Sequence, residues 1–227
     1  CYFNNLAIIK SMSEEYGIPY WAFIQAGGQW NDQALEIESL TEPFPTEGQL
    51  IWNVNTSLAC GSKGIQYFLG FQPLHFAYAP NGTYDFTRNG FFGANGNVNR
   101  WYYYAQKMNV QIEAVDEILM NAYNVGILPS SSIASDFEGN SMVIDGGEFH
   151  QLKGVRGDAL IGCFEYEKRT VLYVVNYTHN KANDVILDLN DTHEMKIIQR
   201  GKTLTANQQH LGIHLEAGEG GLVEFVE

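Results

Sequence analysis

Two different hydrophobic patterns divide the chain near residue 125. In the first part, stretches with helical spacing of apolar residues alternate with short apolar runs bounded by Pro or Gly, which are typical of strands buried on both faces. Gly17 and Pro19 end the first helical stretch, and Thr46 with Gln49 forms a T-x-x-Q capping box before the second. The predicted elements are helix 2–16, strand 19–25, helix 47–62, strand 64–71 and helix 99–122.

Strands that alternate with helices predict a parallel sheet, because each crossover returns the chain to the same end of the sheet. A closed TIM (β/α)8 barrel needs eight strands and about 250 residues, and this pattern holds two strands. We therefore interpret residues 1–125 as the C-terminal portion of such a barrel, with its last two strands and their flanking helices. The missing N-terminal barrel half is expected upstream of Cys1 or on another chain.

After about residue 125 the helical pattern gives way to short strand-like segments separated by turn residues. Period-two alternation is clearest where Leu172 and Val174 alternate with Tyr173 and Val175. We therefore expect residues 126–227 to form an antiparallel β-sandwich. The predicted strands are Val143–Ile144, EFHQL, ALIGCFEY, TVLYVVNY, DVILDL, MKIIQR, GIHLE and LVEFVE.

Composition and charge narrow the class of ligand. Thirteen basic residues against 26 acidic residues give a net charge of −13, which disfavours a nucleic-acid partner or an anionic membrane surface. No apolar run approaches the roughly 20 residues that a membrane helix needs. We expect a soluble protein with a neutral ligand and no cofactor, in either a secreted or a cytoplasmic setting. The three cysteines show neither a disulfide framework nor metal-ligand spacing.

Three stretches resemble the closing part of barrel-type glycoside hydrolases: EEYGIPYWAFIQ, FPTEGQLIWNVNTSLACGSKGIQYFLGF and NGNVNRWYYYAQKMNVQIEAVDEIL. The resemblance is to the β-galactosidase-like enzymes of glycoside hydrolase family 42 and their bacterial relatives. In those enzymes a strand ending in Gln or Glu precedes a helix that closes on Ala-x-Gly-x-Lys/Asp-Gly, which LACGSKGIQYF is similar to. Such enzymes commonly append a β-sandwich, and GDALIGCFEYEKRTVLYVVNYT is similar to part of one.

The resemblance implies hydrolysis of O-glycosidic bonds by two carboxyl groups, but one position departs from the family pattern. Clan-A glycosidases carry a nucleophilic Glu at the end of the seventh barrel strand. If PYWAFIQ is that strand, this chain has Gln25 there. An amide cannot attack the anomeric carbon. Either the catalytic carboxylates lie upstream, or the strand register differs, or the protein is not a hydrolase, so the catalytic residues stay unassigned.

Four residues are predicted to bind substrate at the carboxyl edge of the strands, where barrel enzymes place functional groups. Gln25 either bonds a sugar hydroxyl or a catalytic acid, or it satisfies loop backbone groups. Trp30 either stacks on a pyranose ring or caps the barrel rim. Gln72 and His75 open a long aromatic loop, of a length that is usually functional or mobile. Three loop carboxylates either reach the cleft or are solvated: Glu36, Glu38 and Glu42.

No metal site is predicted. His210 and His214 stand four residues apart on a segment with strand character, which separates them by about 13 Å, and His75 has no second His or Cys at metal spacing.

The sequence therefore favours a glycoside hydrolase whose substrate is a glycoside or oligosaccharide. A carbohydrate-binding protein with a degenerate, non-catalytic barrel is the alternative, motivated by Gln25. A third hypothesis makes the sandwich alone an interaction module, since sandwiches also bind carbohydrate or mediate homo-oligomers.

Overall fold

The computed structural model describes residues 2–27, 29–30, 40–42, 44–78, 82–86 and 89–226. Its helices are α1 (Tyr2–Tyr16), α2 (Glu47–Ala59), α3 (Leu74–Ala77) and α4 (Arg100–Asn121), with a 3-10 turn at Ala134–Phe137. Its strands are β1 (Trp21–Gln25), β2 (Gln29–Trp30), β3 (Leu40–Glu42), β4 (Gly64–Phe68), β5 (Tyr123–Pro129), β6 (Leu152–Arg156), β7 (Ala159–Tyr166), β8 (Arg169–Asn176), β9 (Asn183–Gln199), β10 (Lys202–Leu215) and β11 (Gly220–Phe225). None of the described helices is both long and apolar enough to span a membrane.

Helix ends follow the local signals in the sequence. The Gln49 amide donates to Thr46 Oγ1 at 3.2 Å and the Thr46 amide donates to Gln49 Oε1 at 2.9 Å, so the capping box is confirmed. Gly17 has a φ of 64° where α1 ends. Helix α2 ends at Ala59, three residues before the predicted end, because Gly61 with a φ of 93° turns the chain toward β4.

Strands β1 and β4 pair in parallel, from Trp21 opposite Gly64 to Gln25 opposite Phe68. Helix α2 forms the crossover between them, so the predicted parallel pairing is confirmed. Within the described residues this sheet contains two strands. A complete barrel is therefore not seen here.

The two faces of this parallel sheet differ in burial. Ala22 and Ile24 are buried beneath the helices, whereas Trp21 and Phe23 on the opposite face are 62% and 67% exposed. Phe68 of β4 shares that uncovered face and is 55% exposed. The prediction that strand 19–25 is buried on both faces is wrong for the described residues, because side chains alternate along a strand and one face has no covering layer.

The second half of the chain forms an antiparallel sheet in the order β10-β9-β11-β8-β7-β5, with β6 also paired to β9. Strands β9 and β10 make a long hairpin whose register shifts between Gln208 and His210. One half of β9 pairs with β6 and the other half with β11. The hairpin thus continues from one layer into a second, and the predicted antiparallel region is confirmed with two layers consistent with a β-sandwich.

Three details of the predicted strands are corrected. DVILDL and MKIIQR were expected as separate strands, but DVILDL and MKIIQ both lie in β9, because β10 pairs with each of them on either side of the register shift between Gln208 and His210. The segment EFHQL forms a turn in which His150 has a φ of 46°, and β6 begins only at Leu152. At Val143–Ile144 the structure has an isolated bridge between Val143 and Ile127 in place of a strand.

Hydrophobic cores lie on both faces of the antiparallel sheet. One core joins the sheet to the helices and to β1, and it contains Ile24, Leu50 and Tyr173. The other lies between the two layers and contains Leu172 and Leu187. Alternation along β8 sends neighbouring side chains into different cores, so β8 is buried almost throughout.

Helix α2 lies directly on the antiparallel sheet. A Cβ at Gly162 of β7 would stand 2.4 Å from the Ala59 oxygen, so glycine allows this close approach. Asn124 Nδ2 donates to the same oxygen at 3.1 Å. Strand β5 spans the predicted boundary between residues 125 and 126, and the helix-side core contains residues from both sides of it.

Candidate functional site

The carboxyl ends of β1 and β4 are fastened together by backbone hydrogen bonds. Ala26 donates its amide to the Phe68 oxygen at 2.5 Å. A returning segment then bridges both strand ends: Gly90 donates to the Ala26 oxygen at 2.9 Å and Phe92 donates to the Gly70 oxygen at 3.0 Å. The edge at which barrel enzymes place functional groups is therefore an ordered surface in this chain.

Gln25 lies at this edge as the last residue of β1. Its Nε2 donates to the Gly27 oxygen at 2.6 Å. A Cβ at Gly27 would come within 2.3 Å of Asn89 Oδ1, so the loop packs closely against the returning segment. Asn99 holds that segment in turn through a 2.7 Å bond to the Asn89 oxygen. Gln25 is therefore half-buried, and its hydrogen bond to Gly27 and the packed loop hold it at this edge.

Gln72 reaches the same edge but is only 3% exposed. Its Nε2 donates to the Asp85 oxygen at 2.9 Å, and its backbone amide donates to the Phe92 oxygen at 2.8 Å. Its Oε1 is buried without a hydrogen-bond partner among the described residues. In this placement Gln72 supports the long loop after β4, and direct contact with a sugar would require that loop to open.

The other predicted site residues fall on parts of the chain that the structure does not describe. Trp30 has a described backbone in β2 and His75 has one in α3, but both side chains lie outside the described atoms. Glu36 and Glu38 lie wholly outside the described residues. Glu42 belongs to β3 through its backbone, and its side chain lies outside as well.

A cavity of about 570 Å³ opens beside the carboxyl edge, and Gln25 is the residue of the predicted set that lines it. Its other walls come from α1, α2 and the segment that follows β8. Sequence reasoning missed these walls, because they join residues more than a hundred positions apart. One signal was present: the run YTHN after β8 is polar and aromatic, as binding loops often are.

A second cleft, between α2, α4 and the antiparallel sheet, holds ion pairs. Arg200 Nε and Nη2 donate to the two oxygens of Glu219, each at 2.6 Å, and Lys107 pairs with Glu47 at 2.8 Å. Burial acts to raise the pKa of Glu219, but the bonds from Arg200 and from the Glu216 amide outweigh it and hold that pKa below its usual value. Glu219 therefore stays ionised, as a structural ion pair does and a general acid at neutral pH does not.

The described part of the chain contains no group of three His, Cys, Asp or Glu side chains arranged to hold a metal ion. His210 Nδ1 lies 2.7 Å from Asp188 and His214 Nδ1 lies 2.7 Å from Asp184, as separate pairs on the exposed face of the hairpin. Burial raises the pKa of the Cys60 thiol to about 12, so Cys60 is not a thiolate nucleophile at neutral pH.

No protein-family model matches the chain, and no curated protein matches it. Among solved structures, the chain is similar to the alpha-amylase from Geobacillus thermoleovorans, GTA, complexed with acarbose, at 13% sequence identity and a TM-score of 0.39. That similarity covers 78% of this chain and 34% of the amylase chain, so this chain spans about a third of the amylase's length.

Proposed function

We propose that this chain forms the closing part of a (β/α)8 barrel in a β-galactosidase-like glycoside hydrolase, with an antiparallel sheet packed against the barrel's helices. Strands β1 and β4 would be the last two barrel strands, and α4 the last barrel helix. The order of helices and strands, the parallel register and the capped crossover helix α2 support this proposal.

The uncovered face of the parallel sheet is the observation that carries the proposal. Parallel sheets are normally covered on both faces, yet Trp21, Phe23 and Phe68 are each more than half exposed on one face of β1 and β4. Burying a large apolar side chain is worth about 1.5–3 kcal/mol. Three such aromatic residues therefore give a strong driving force for covering this face, which further barrel strands would do.

The chemistry expected of this chain is substrate binding. Glycoside hydrolysis needs one carboxyl group to protonate the leaving oxygen and a second to act as nucleophile or base. The Gln25 amide can donate to a sugar hydroxyl and accept from another, but it can supply neither catalytic function. The catalytic acids are therefore expected on the strands that complete the barrel.

A carbohydrate-binding protein with a degenerate barrel is the second candidate. The specific observation that favours it is the amide at the end of β1, where the resemblance expects a carboxylate. In that case the fold would be the same and turnover would be absent.

The test is turnover of a panel of aryl glycosides, including an aryl β-galactoside, by the natural protein in which the barrel is complete. We expect hydrolysis that single Glu→Gln changes on the completing strands abolish. We also expect Gln25→Ala to weaken substrate binding, whereas Gln208→Ala on the exposed surface of β10 leaves it unchanged. Saccharide binding without turnover across the whole panel would select the second candidate, and neither binding nor turnover would reject both.

A further inference from the structure

The cavity of about 570 Å³ next to Gln25 lies between helices α1 and α2 and the segment that follows β8, and Pro45, which precedes α2, also lines it. Tyr2 of α1 lines it, as do Trp52 and Asn53 of α2. The segment Tyr177–Asn180, directly after β8, closes the other side. Its volume falls in the range of about 300–1,000 Å³ that is typical of small-molecule sites. Gln25 shares its face of β1 with Trp21 and Phe23, but neither of those two aromatic residues lines the cavity.

Among the described residues, the lining is aromatic and polar and contains no Asp, Glu, Lys or Arg. Aromatic rings and neutral amide or hydroxyl groups together suit a ligand with apolar patches and many hydroxyls. Without a charged side chain in its described walls, the cavity offers nothing that specifically recognises a charged ligand.

Two polar atoms of the lining residues lack protein partners. Trp52 Nε1, a donor, and Asn53 Oδ1, an acceptor, are both buried without a hydrogen-bond partner among the described residues. Buried polar groups without partners are uncommon, and each calls for a compensating water or ligand. A sugar hydroxyl both donates and accepts, so two neighbouring hydroxyls can satisfy both atoms once a rotation of the two side chains exposes these atoms to the cavity.

The walls are held in place before any ligand enters. The Tyr2 hydroxyl lies 2.8 Å from Ser57 Oγ, and the ring of Trp52 packs against the rings of Tyr2 and Tyr177 at centroid distances of 5.7 and 5.8 Å. Thr178 Oγ1 donates to Asn176 Oδ1 at 2.8 Å, which fixes the segment after β8. Such preorganisation reduces the entropy lost on binding.

We propose that this cavity is an accessory binding site for a neutral saccharide, formed jointly by α1, α2 and the segment after β8. Its described lining residues include no carboxyl group that could act as acid or nucleophile, so we assign it a binding role. The cavity shares Gln25 with the proposed substrate site, but binding in it needs no catalytic acid and can be measured separately from turnover.

Isothermal titration of the 227-residue chain with lactose, maltose, cellobiose and xylobiose tests the proposal. We expect at least one to bind and glucuronic acid not to bind, because the described walls offer its carboxylate no Lys or Arg. Trp52→Phe keeps the ring cluster but removes the indole donor, and Asn53→Ala removes the acceptor. Each should weaken binding about three- to tenfold, as expected for one lost hydrogen bond.

Two further variants at exposed positions provide a second test and a control in case Trp52→Phe or Asn53→Ala disturbs the fold. His179→Ala lies on the exposed rim and should also weaken binding, whereas Asn207→Ala, exposed on β10 and outside the cavity, should not. The proposal is overturned if none of the four disaccharides binds, or if binding is unchanged in Trp52→Phe, Asn53→Ala and His179→Ala alike. If the completed barrel hydrolyses glycosides and these variants do not reduce its turnover, the proposed function is supported whether or not the titration detects binding in the cavity.

Discussion

Replacing Asn55 with alanine should weaken the attachment of α2 to the antiparallel sheet. Asn55 is fully buried in the middle of α2. Its Nδ2 donates to the Gly218 oxygen at 2.9 Å, and its Oδ1 accepts from the Tyr173 hydroxyl at 2.7 Å. One side chain thus joins the helix to β8 and to the turn between β10 and β11.

The magnitude follows from the two groups that Asn55→Ala leaves behind. A buried polar group that loses its partner costs about 1–3 kcal/mol, and the substitution leaves two, the Gly218 oxygen and the Tyr173 hydroxyl. We therefore expect a loss of about 2–6 kcal/mol in the free energy of unfolding.

Urea unfolding followed by circular dichroism measures this loss, with Asn207→Ala on the exposed strand β10 as the matched control within about 0.5 kcal/mol of the original. Tyr173→Phe removes the second partner, so the double variant should cost less than the sum of the two single variants by about 1 kcal/mol or more. An Asn55→Ala loss below about 1 kcal/mol, or strict additivity in the double variant, would refute the reasoning.

Three further predictions concern packing, charge and the uncovered face. Gly162→Ala should lower the free energy of unfolding by about 1–3 kcal/mol, because the new Cβ would clash with the backbone of α2. Gly154→Ala on β6 is the control, because its Cβ meets open space and should leave the stability unchanged. Equal melting temperatures of the two variants would contradict the predicted clash. The hydrogen bond to Asp184 raises the pKa of His214 above its ordinary value, so Asp184→Asn should lower the NMR titration midpoint of His214. The stability that the pair contributes should be present below about pH 6.5 and should be lost as pH rises through the raised pKa. An unchanged midpoint in Asp184→Asn would count against the pairing. Phe23 is exposed in this chain, so Phe23→Ser should change its free energy of unfolding by less than about 0.5 kcal/mol. In a completed barrel Phe23 would be buried, and the same substitution should lower the free energy of unfolding by about 3 kcal/mol or more. Equally small effects in both proteins would count against the barrel.

Local signals in the sequence predicted the local structure well. Thr46 and Gln49 stand at the spacing of a capping box, and both of its hydrogen bonds form. The alternation of helix and strand predicted the parallel pairing of β1 with β4, because a helical crossover leaves few other arrangements. In both cases the interactions that determine the structure are made by residues close together in the sequence.

Features that depend on distant partners were not predictable in the same way. The apolar run at 19–25 is equally compatible with one or two covered faces, and only the surrounding layers decide that Trp21 is exposed. The residues Asn190 and Asp191 resemble a turn, but β10 pairs on both sides of them and draws DVILDL and MKIIQR into a single strand. Trp52 and His179 line one cavity although they are far apart in the chain.

Helix α2 connects the two halves of the molecule, and this constrains what the antiparallel sheet can do. The helix contacts β1 on one side and β7 and β8 on the other, and one continuous core contains Ile24, Leu50 and Tyr173. Removing the helices would expose the Tyr173 face of β8, which is fully buried in the intact chain. A sheet with such a face is poorly suited to act as an independent interaction module, because large exposed apolar patches favour association. The geometry instead favours a sheet that supports the parallel strands through α2. Because α2 contacts β1 and also lines the proposed saccharide cavity, it fixes the position of the cavity relative to β1.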